Sequence, residues 1–324
     1  MTYAFQVTVT LSNIARFTAQ FEADAVSLTR INQYSQAIHS EKTLLDGTET
    51  SASPAIQAQP SLGKVDYKSV SATHRPGLPL SLDSVSFAVK SGEKVAVVGR
   101  SGAGKSSAIS CSLRMMEQTS GQILIDDVDF AAVDSVKLRG SITLIPQKPV
   151  IFSSSVRQNI DPLGLKDDEE IMAALETSRA LPIVRKLAKG NGARDEVSQS
   201  ALNIQIDGRT TLSTGEIQLL ALTRAMLQDS QLLVLDEATS AMDAPTESFV
   251  HETLFEKFPN TTIIAVMHRL GLPLHYDKIL VLDEGRVSAF DTPIALLNRS
   301  EGLYHSMLKD ARLIGRAREI FGNP

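Results

Sequence analysis

Four short apolar runs mark the chain at residues 94–98, 231–235, 262–267 and 278–282. Each suits the length of a strand, and none alternates as a half-exposed strand does, so they predict strands buried on both faces. Helical patterns stand between them, from Lys105 to about Met115, over 167–187 behind the acidic first turn Asp167, Asp168, Glu169 and Glu170, and over 216–227. Strands alternating with helices predict a mainly parallel sheet. Upstream the period changes. Val85, Phe87 and Val89 alternate with smaller or polar residues, which predicts half-buried antiparallel strands, with turn signals at Arg75-Pro76-Gly77 and Ser91-Gly92. Residues 1–45 spread apolar positions along a stretch without Pro or Gly and predict one long helix. Residues 46–62, rich in Ser, Thr, Ala and Pro over their first part, read as a linker.

Composition narrows the picture. The chain has 324 residues and is 43% hydrophobic, enough for one large or two small domains. A net charge of −5 leaves no dominant basic face and argues against a nucleic-acid partner. Its one cysteine, Cys111, excludes an internal disulfide framework and reads as a small buried hydrophobe. No run of eighteen apolar residues is present, and the N-terminus lacks the charged and apolar regions of a signal peptide. The chain is therefore expected to lie in the cytosol and to reach a membrane only through a partner or further sequence.

The chemistry concentrates at the ends of the apolar runs. Gly99-Arg100-Ser101-Gly102-Ala103-Gly104-Lys105-Ser106 fits the phosphate-cradling pattern G-x-x-x-x-G-K-[ST], between a predicted strand and a predicted helix. Glycines let backbone N–H groups turn toward phosphates, and the helix N-terminus favours negative charge. Lys105 would reach the β- and γ-phosphates, and the Ser106 hydroxyl would hold Mg²⁺. The run ending Leu235-Asp236-Glu237 places two acids at the C-terminal end of a predicted parallel strand, where ligands bind in such sheets. On its own that pair equally marks a strand-to-turn boundary. In a chain that also carries a phosphate loop, Asp236 is a candidate for Mg²⁺, and Glu237 for polarising an attacking water.

With these residues the chain resembles an ATP-binding-cassette (ABC) ATPase domain. Gln147, in Ile145-Pro146-Gln147-Lys148, matches the Q-loop glutamine, and Leu212-Ser213-Thr214-Gly215-Glu216 matches the signature LSGGQ. Ser240-Ala241-Met242-Asp243 matches the D-loop, and His268 the switch histidine. The motifs stand in the family's order. Arg75-Pro76-Gly77-Leu78, the segments 92–95, 98–106 and 146–152, and Asn159-Ile160-Asp161-Pro162 resemble the second, C-terminal nucleotide domain of C-subfamily, multidrug-resistance-associated exporters. Residues 3–42, best over 22–34, resemble the end of the last transmembrane helix of those exporters and its cytoplasmic extension.

The resemblance implies a P-loop ATPase of the α/β class. Its parts are a mixed or parallel core sheet, an antiparallel β subdomain and a helical signature subdomain, preceded by a long helix at 1–45. The ATPase domain would span 63–310, and 311–324 would form a tail. The resemblance implies ATP contacts from His74, Gly99, Arg100, Ser101, Gly102, Ala103, Gly104, Lys105, Ser106, Ser107 and Gln147, with Ser213 and Gly215 completing a site on the opposing domain. It implies Mg²⁺ at Ser106, Gln147 and Asp236, and catalysis by Glu237, His268 and Lys105. The partners it implies are a second ABC nucleotide-binding domain, in the same or a separate chain, and the transmembrane domains of an exporter. The place it implies is the cytoplasmic face of a membrane, plasma membrane or vacuole. The alternatives are a truncated or stand-alone nucleotide-binding module, and a soluble ABC ATPase of DNA repair or translation. The acidic charge and the single cassette without long coiled coils speak against the latter.

Two departures from the family pattern matter. His74 stands where an aromatic, often Tyr, stacks on adenine, and otherwise reads as a surface histidine. Glu216 replaces the signature glutamine, and Ser213-x-x-Glu216 is also a helix capping box, so a structural reading coexists with the family one. Asp283-Glu284-Gly285-Arg286 reads as a turn. His251 and His275 carry no motif and are expected at the surface or its boundary.

Overall fold

The computed structural model describes residues 2–37, 63–75, 77–190, 199–206 and 212–321, which fall into two compact units divided at Pro54. Among the described residues the first contains one helix, α1 (Thr2–Ala37). At a rise of about 1.5 Å per residue it is about 54 Å long. Phe5, Phe17 and Phe21 on it are exposed, and the hydroxyls of Thr8, Thr10, Thr18 and Thr29 donate to carbonyls four residues back. Among the described residues no helix is long and apolar enough to cross a membrane. The predicted extension of this helix through 38–45, and the linker at 46–62, lie outside the described residues.

The second unit opens with an antiparallel sheet of β1 (Val65–Thr73), β2 (Leu82–Val89), β4 (Glu117–Ile125) and β5 (Val128–Asp129), in the order β2-β1-β4-β5. In β2, Val85, Phe87 and Val89 are buried and their neighbours mostly are not, as the alternation predicts. Between β2 and β4 run β3 (Lys94–Gly99) and α2 (Lys105–Ser112). After β5 come α3 (Ser135–Gly140), β6 (Ile142–Ile145), β7 (Ser154–Ser155) and α4 (Val156–Ile160). Then follow α5 (Asp168–Thr177), α6 (Leu181–Gly190), β8 (Gln205–Ile206) and α7 (Thr214–Met226). The chain continues through β9 (Leu232–Asp236), α8 (Ala244–Lys257), β10 (Thr262–Val266), β11 (Lys278–Asp283) and β12 (Arg286–Asp291). It closes with α9 (Pro293–Leu297), α10 (Leu303–Asp310) and α11 (Ile314–Phe321).

The core sheet has the order β12-β11-β3-β10-β9-β6. β11, β3, β10, β9 and β6 are parallel, and β12 adds an antiparallel edge. Its central strands are buried on both faces because two layers cover them. Val95, Val97, Val234 and Val266 face the antiparallel sheet and α2, while Ala96, Val98, Leu235 and Ala265 face α7, α8 and the C-terminal helices. A third cluster, built on Val156, Ile171, Leu175, Val184, Leu202 and Leu220, forms the core of the helical part. The expected layering, with a parallel core sheet, an antiparallel subdomain and a helical subdomain, is the one found.

Several local expectations are corrected. The helix predicted over 167–187 is two helices. Arg179 takes φ 57, a left-handed geometry that ends α5, and Pro182 stands in the first turn of α6, where its missing N–H costs nothing. The helix after the glycine loop stops at Ser112, with Arg114 also at positive φ (53). Residues 314–321 form a helix whose Ala317 is fully buried in the core, so the segment expected as a tail packs onto the domain. His251 is buried rather than at the boundary. Its Nδ1 pairs with the Tyr276 hydroxyl at 2.7 Å, and His275 is exposed as expected. Cys111 is fully buried, which pushes its thiol up to about 11.

Burial holds His251 neutral by pulling its pKa from 6.5 down to about 4. The unfolded chain protonates it near 6.5, so its contribution to stability is complete above that pH. The contribution falls as the pH drops toward 4, by about 2 kcal/mol at pH 5. Denaturant titrations at pH 7.5 and pH 5 are expected to show His251→Gln losing about 2 kcal/mol less than the parent over that interval.

Candidate functional site

The glycine loop is the turn between β3 and α2. Gly102 (φ 81) and Gly104 (φ 95) both occupy the left-handed region, and Ala103 N–H donates to the Arg100 carbonyl at 3.1 Å, closing the turn. Space as well as torsion demands glycine here. A Cβ at Gly99 would stand 2.3 Å from the Leu282 carbonyl oxygen, and one at Gly104 would stand 2.7 Å from that of Ser81. The loop curls around Lys105, whose Nζ donates to the carbonyls of Gly99 (3.0 Å) and Arg100 (3.1 Å).

Asp236 is the last residue of β9, and its Oδ1 accepts from the Ser106 hydroxyl at 3.1 Å. Glu237 follows at φ 50, in a tight turn fixed by its N–H to the Val266 carbonyl (3.2 Å) and by Ser240 N–H to its own carbonyl (3.1 Å). That turn aims the carboxylate at two neighbours. Its Oε2 accepts from Gln147 Nε2, in the loop after β6, and its Oε1 meets Nε2 of His268, in the loop after β10.

A cleft of about 680 Å³ gathers His74, Ser101, Gly102, Gly104, Lys105, Ser106, Ser107, Gln147, Glu237 and His268 along its walls. Asp236 joins it through Ser106. His74 sits on the loop after β1, which the Thr73 hydroxyl fastens by donating to the Arg75 (2.9 Å) and Leu78 (3.3 Å) carbonyls. Pro79, Leu80, Ser81, Glu284 and Gly285 also line the cleft, and sequence reasoning did not find them as site residues. The one usable signal was the Glu284-Gly285 turn, found here at φ 45 and 78 joining β11 to β12. Gly285 lies against the same Ser81 carbonyl that presses on Gly104.

Ser213 and Gly215 are not among the residues lining this cleft. Ser213 caps α7, and its hydroxyl accepts from Glu216 N–H (3.3 Å) while the Glu216 carboxylate accepts from Ser213 N–H (2.7 Å), the predicted capping box. Lys186 on α6 pairs with Glu216 at 2.9 Å. Burial raises the Glu216 carboxyl, but the Ser213 and Lys186 contacts outweigh it and hold the group below its usual range. The charge that replaces the expected glutamine is thus compensated within this chain.

The cleft is electrostatically incomplete. Burial pushes the Asp236 carboxyl up, against the Ser106 hydrogen bond, and the neighbouring Glu237 adds to the rise. Burial also pulls the Lys105 ammonium down, against Glu237 and Asp236. A ligand carrying negative charge to Lys105 and a cation to Asp236 would relieve both. A carboxylate, a hydroxyl and an amide carbonyl are hard oxygen donors of the kind Mg²⁺ takes, and Mg²⁺ characteristically uses few protein ligands alongside phosphate. No group of three or more His, Cys, Asp and Glu side chains suited to a metal occurs among the described residues, so softer, all-protein metal sites are not offered there.

Comparison with known proteins decides the family. Residues 82–240 match the model of the ABC transporter family. The chain carries a domain of that family. It is 36% identical to the ATP-binding cassette sub-family C member 3 of Mus musculus over 97% of its own length and 20% of that protein's. It is 38% identical to the multidrug resistance protein mrp-7 of Caenorhabditis elegans over 96% of its length and 19% of that protein's. The chain therefore spans about a fifth of the length of the curated relatives it matches. A solved bacterial Atm1-family ABC exporter with ATP bound superposes with a TM-score of 0.72 at 29% identity, over 81% of this chain and 44% of that one. The fold is that of an ABC ATPase domain, and the curated relatives it matches include C-subfamily transporters, as the motifs imply.

Gly104→Ala combines a close approach with a left-handed φ. It is expected to cost about 1–3 kcal/mol of stability and to open the cradle, read as a lower thermal midpoint with weakened binding of a fluorescent ATP analogue.

Proposed function

We propose that this chain binds and hydrolyses ATP with Mg²⁺ as one nucleotide-binding cassette of a membrane exporter. The observation that carries the reading is the cleft, where a phosphate cradle, a buried lysine short of anionic charge and a half-buried carboxylate short of cationic charge meet Gln147, Glu237 and His268. Mg-ATP supplies both missing charges at once.

In this reading the N–H groups of residues 100–106 and the N-terminus of α2 receive the phosphates. Lys105 gives its charge to the β- and γ-phosphates. Ser106, Gln147 and Asp236 would hold Mg²⁺, which when bound neutralises charge on the phosphate oxygens. The His74 ring packs on the adenine. Glu237 orients a water for in-line attack on the γ-phosphorus and takes its proton as the new P–O bond forms and the bond to ADP breaks. His268, now against Glu237, would turn its imidazole to the γ-phosphate. Catalysis is positioning plus electrostatic stabilisation. Ser213 and Gly215, turned away from this chain's own cleft, serve the nucleotide of an opposing cassette, so turnover needs a pair. Opening and closing of that pair would drive the transmembrane domains of an exporter at the cytoplasmic face of its membrane, plasma membrane or vacuole.

Glu237→Gln tests the assignment. It is expected to retain ATP binding and to lose about a hundredfold or more in phosphate release. Lys105→Ala is expected to weaken ATP binding about tenfold or more. Phosphate release by Glu237→Gln equal to that of the parent, both measured in a complete, hydrolysing assembly, would sink the assignment of the base.

A further inference from the structure

Behind the cleft lies a buried polar chain that the proposed mechanism does not use. Thr239, Glu247, His251 and Tyr276 are each less than a tenth exposed. The Thr239 hydroxyl donates to Glu247 Oε1 at 2.9 Å and lies 3.4 Å from His251 Nε2. The other ring nitrogen of His251 meets the Tyr276 hydroxyl, which stands just before β11. On its far side Glu247 Oε2 accepts from Arg269 Nη1 at 2.7 Å, and Arg269 Nη2 donates to the Met242 carbonyl at 2.9 Å.

The sequence positions of these groups give the chain its meaning. Thr239 is two residues after Glu237, Met242 ends the same turn, and Arg269 directly follows His268. Glu247 comes from the first turn of α8. One carboxylate therefore ties the loop that carries Glu237 to the loop that carries His268. β9 ends at Asp236 and β10 at Val266, and just beyond them the sheet holds the loops through Glu237 N–H to the Val266 carbonyl (3.2 Å) and Met267 N–H to the Val97 carbonyl (3.1 Å), so the side-chain tie is what links the parts further out. A planar guanidinium that donates to a carboxylate with one nitrogen and to a backbone carbonyl with the other fixes angle as well as distance. Removing one partner of a side chain buried this deeply leaves the others unsatisfied.

We propose that Glu247, through Arg269 and Thr239, is a positioning residue that sets Glu237 and His268 against each other. It is not among the residues that line the cleft. His251, one turn further along α8, and Tyr276, just before β11, back Thr239. The proposal rests on the ATPase reading only for what Glu237 and His268 do. The geometry it claims is independent of turnover.

The test uses the full chain with Glu247→Gln, which keeps the side-chain volume and removes the charge, and with Glu247→Asp, which restores the charge on a shorter stem. The readouts are the ring resonances of the six histidines, ATP affinity, turnover and the thermal midpoint. In Glu247→Gln the His268 ring resonances are expected to move while those of His305 stay. Turnover falls about tenfold or more while the ATP dissociation constant stays within about twofold. Glu247→Asp regains part of both. A lowered thermal midpoint with His268 resonances and turnover as in the parent would overturn the proposal and leave a structural ion pair. If Glu247→Gln does not fold, Thr239→Val cuts the other arm of the tie and is read the same way. A parent that binds no ATP overturns the functional reading alone, because the His268 resonances still decide the positioning claim.

Discussion

Everything at the site depends on the register of the parallel core strands. Val266 stands beside both Val97 and Asp236, and Gly99 stands beside Leu282. The strands therefore finish nearly level, and the turns that leave them carry the glycine loop, the two acids, His268 and the Glu284-Gly285 corner to one rim. A slip of one residue in any of these strands would turn its buried side chains to the opposite layer. Hydrophobic burial on both faces fixes the register, and the register places the chemistry. The Gly99 contact with the Leu282 carbonyl shows how close that fit is, because the strand end leaves no room for a methyl group.

The rim so assembled is strained and charged in ways that folding alone would not select. Glu237 is a non-glycine residue at positive φ, Gly102 and Gly104 turn in the left-handed region, and two adjacent acids share a pocket with one desolvated lysine. Such costs persist where surrounding structure over-determines them. Here the β9–β10 pairing, the Val266 carbonyl and the Glu247 tie hold the turn after Asp236, and the curled loop offers Lys105 two carbonyls in place of water. The charges that remain unbalanced are of the sign and placement that a nucleotide with a divalent cation would balance.

The sequence made the strands and the cradle legible because both rest on local patterns. The apolar runs at 94–98, 231–235, 262–267 and 278–282 became four adjacent strands of the core sheet, with ends differing by a residue or so. The capping box at Ser213 and Glu216 was readable for the same reason, since its partners lie three residues apart. What was lost needed distant contacts. His251 looks like any polar residue on a helix until Tyr276, twenty-five residues away, is seen to meet it. Ser81 enters the cleft through its carbonyl, which no side-chain pattern encodes. The break between α5 and α6 turned on Arg179 accepting a left-handed conformation, a choice that tertiary packing made against propensity.

The placement of α7 leaves Ser213 outside the lining of the cleft its own chain builds. The helix belongs to two cores at once. Leu220 sits in the helical cluster, while Ala221, Leu222, Ala225 and Met226 sit in the cluster beneath the core sheet. Arg224 adds a polar fastening by donating to the Asn159 carbonyl at 2.8 Å. A helix held through its second half in this way is a fixed part of the domain, and Ser213 and Gly215 stand at its other end, outside the lining of the cleft. If these residues bind nucleotide, it must be brought to them, which is what a head-to-tail pairing of two cassettes would do.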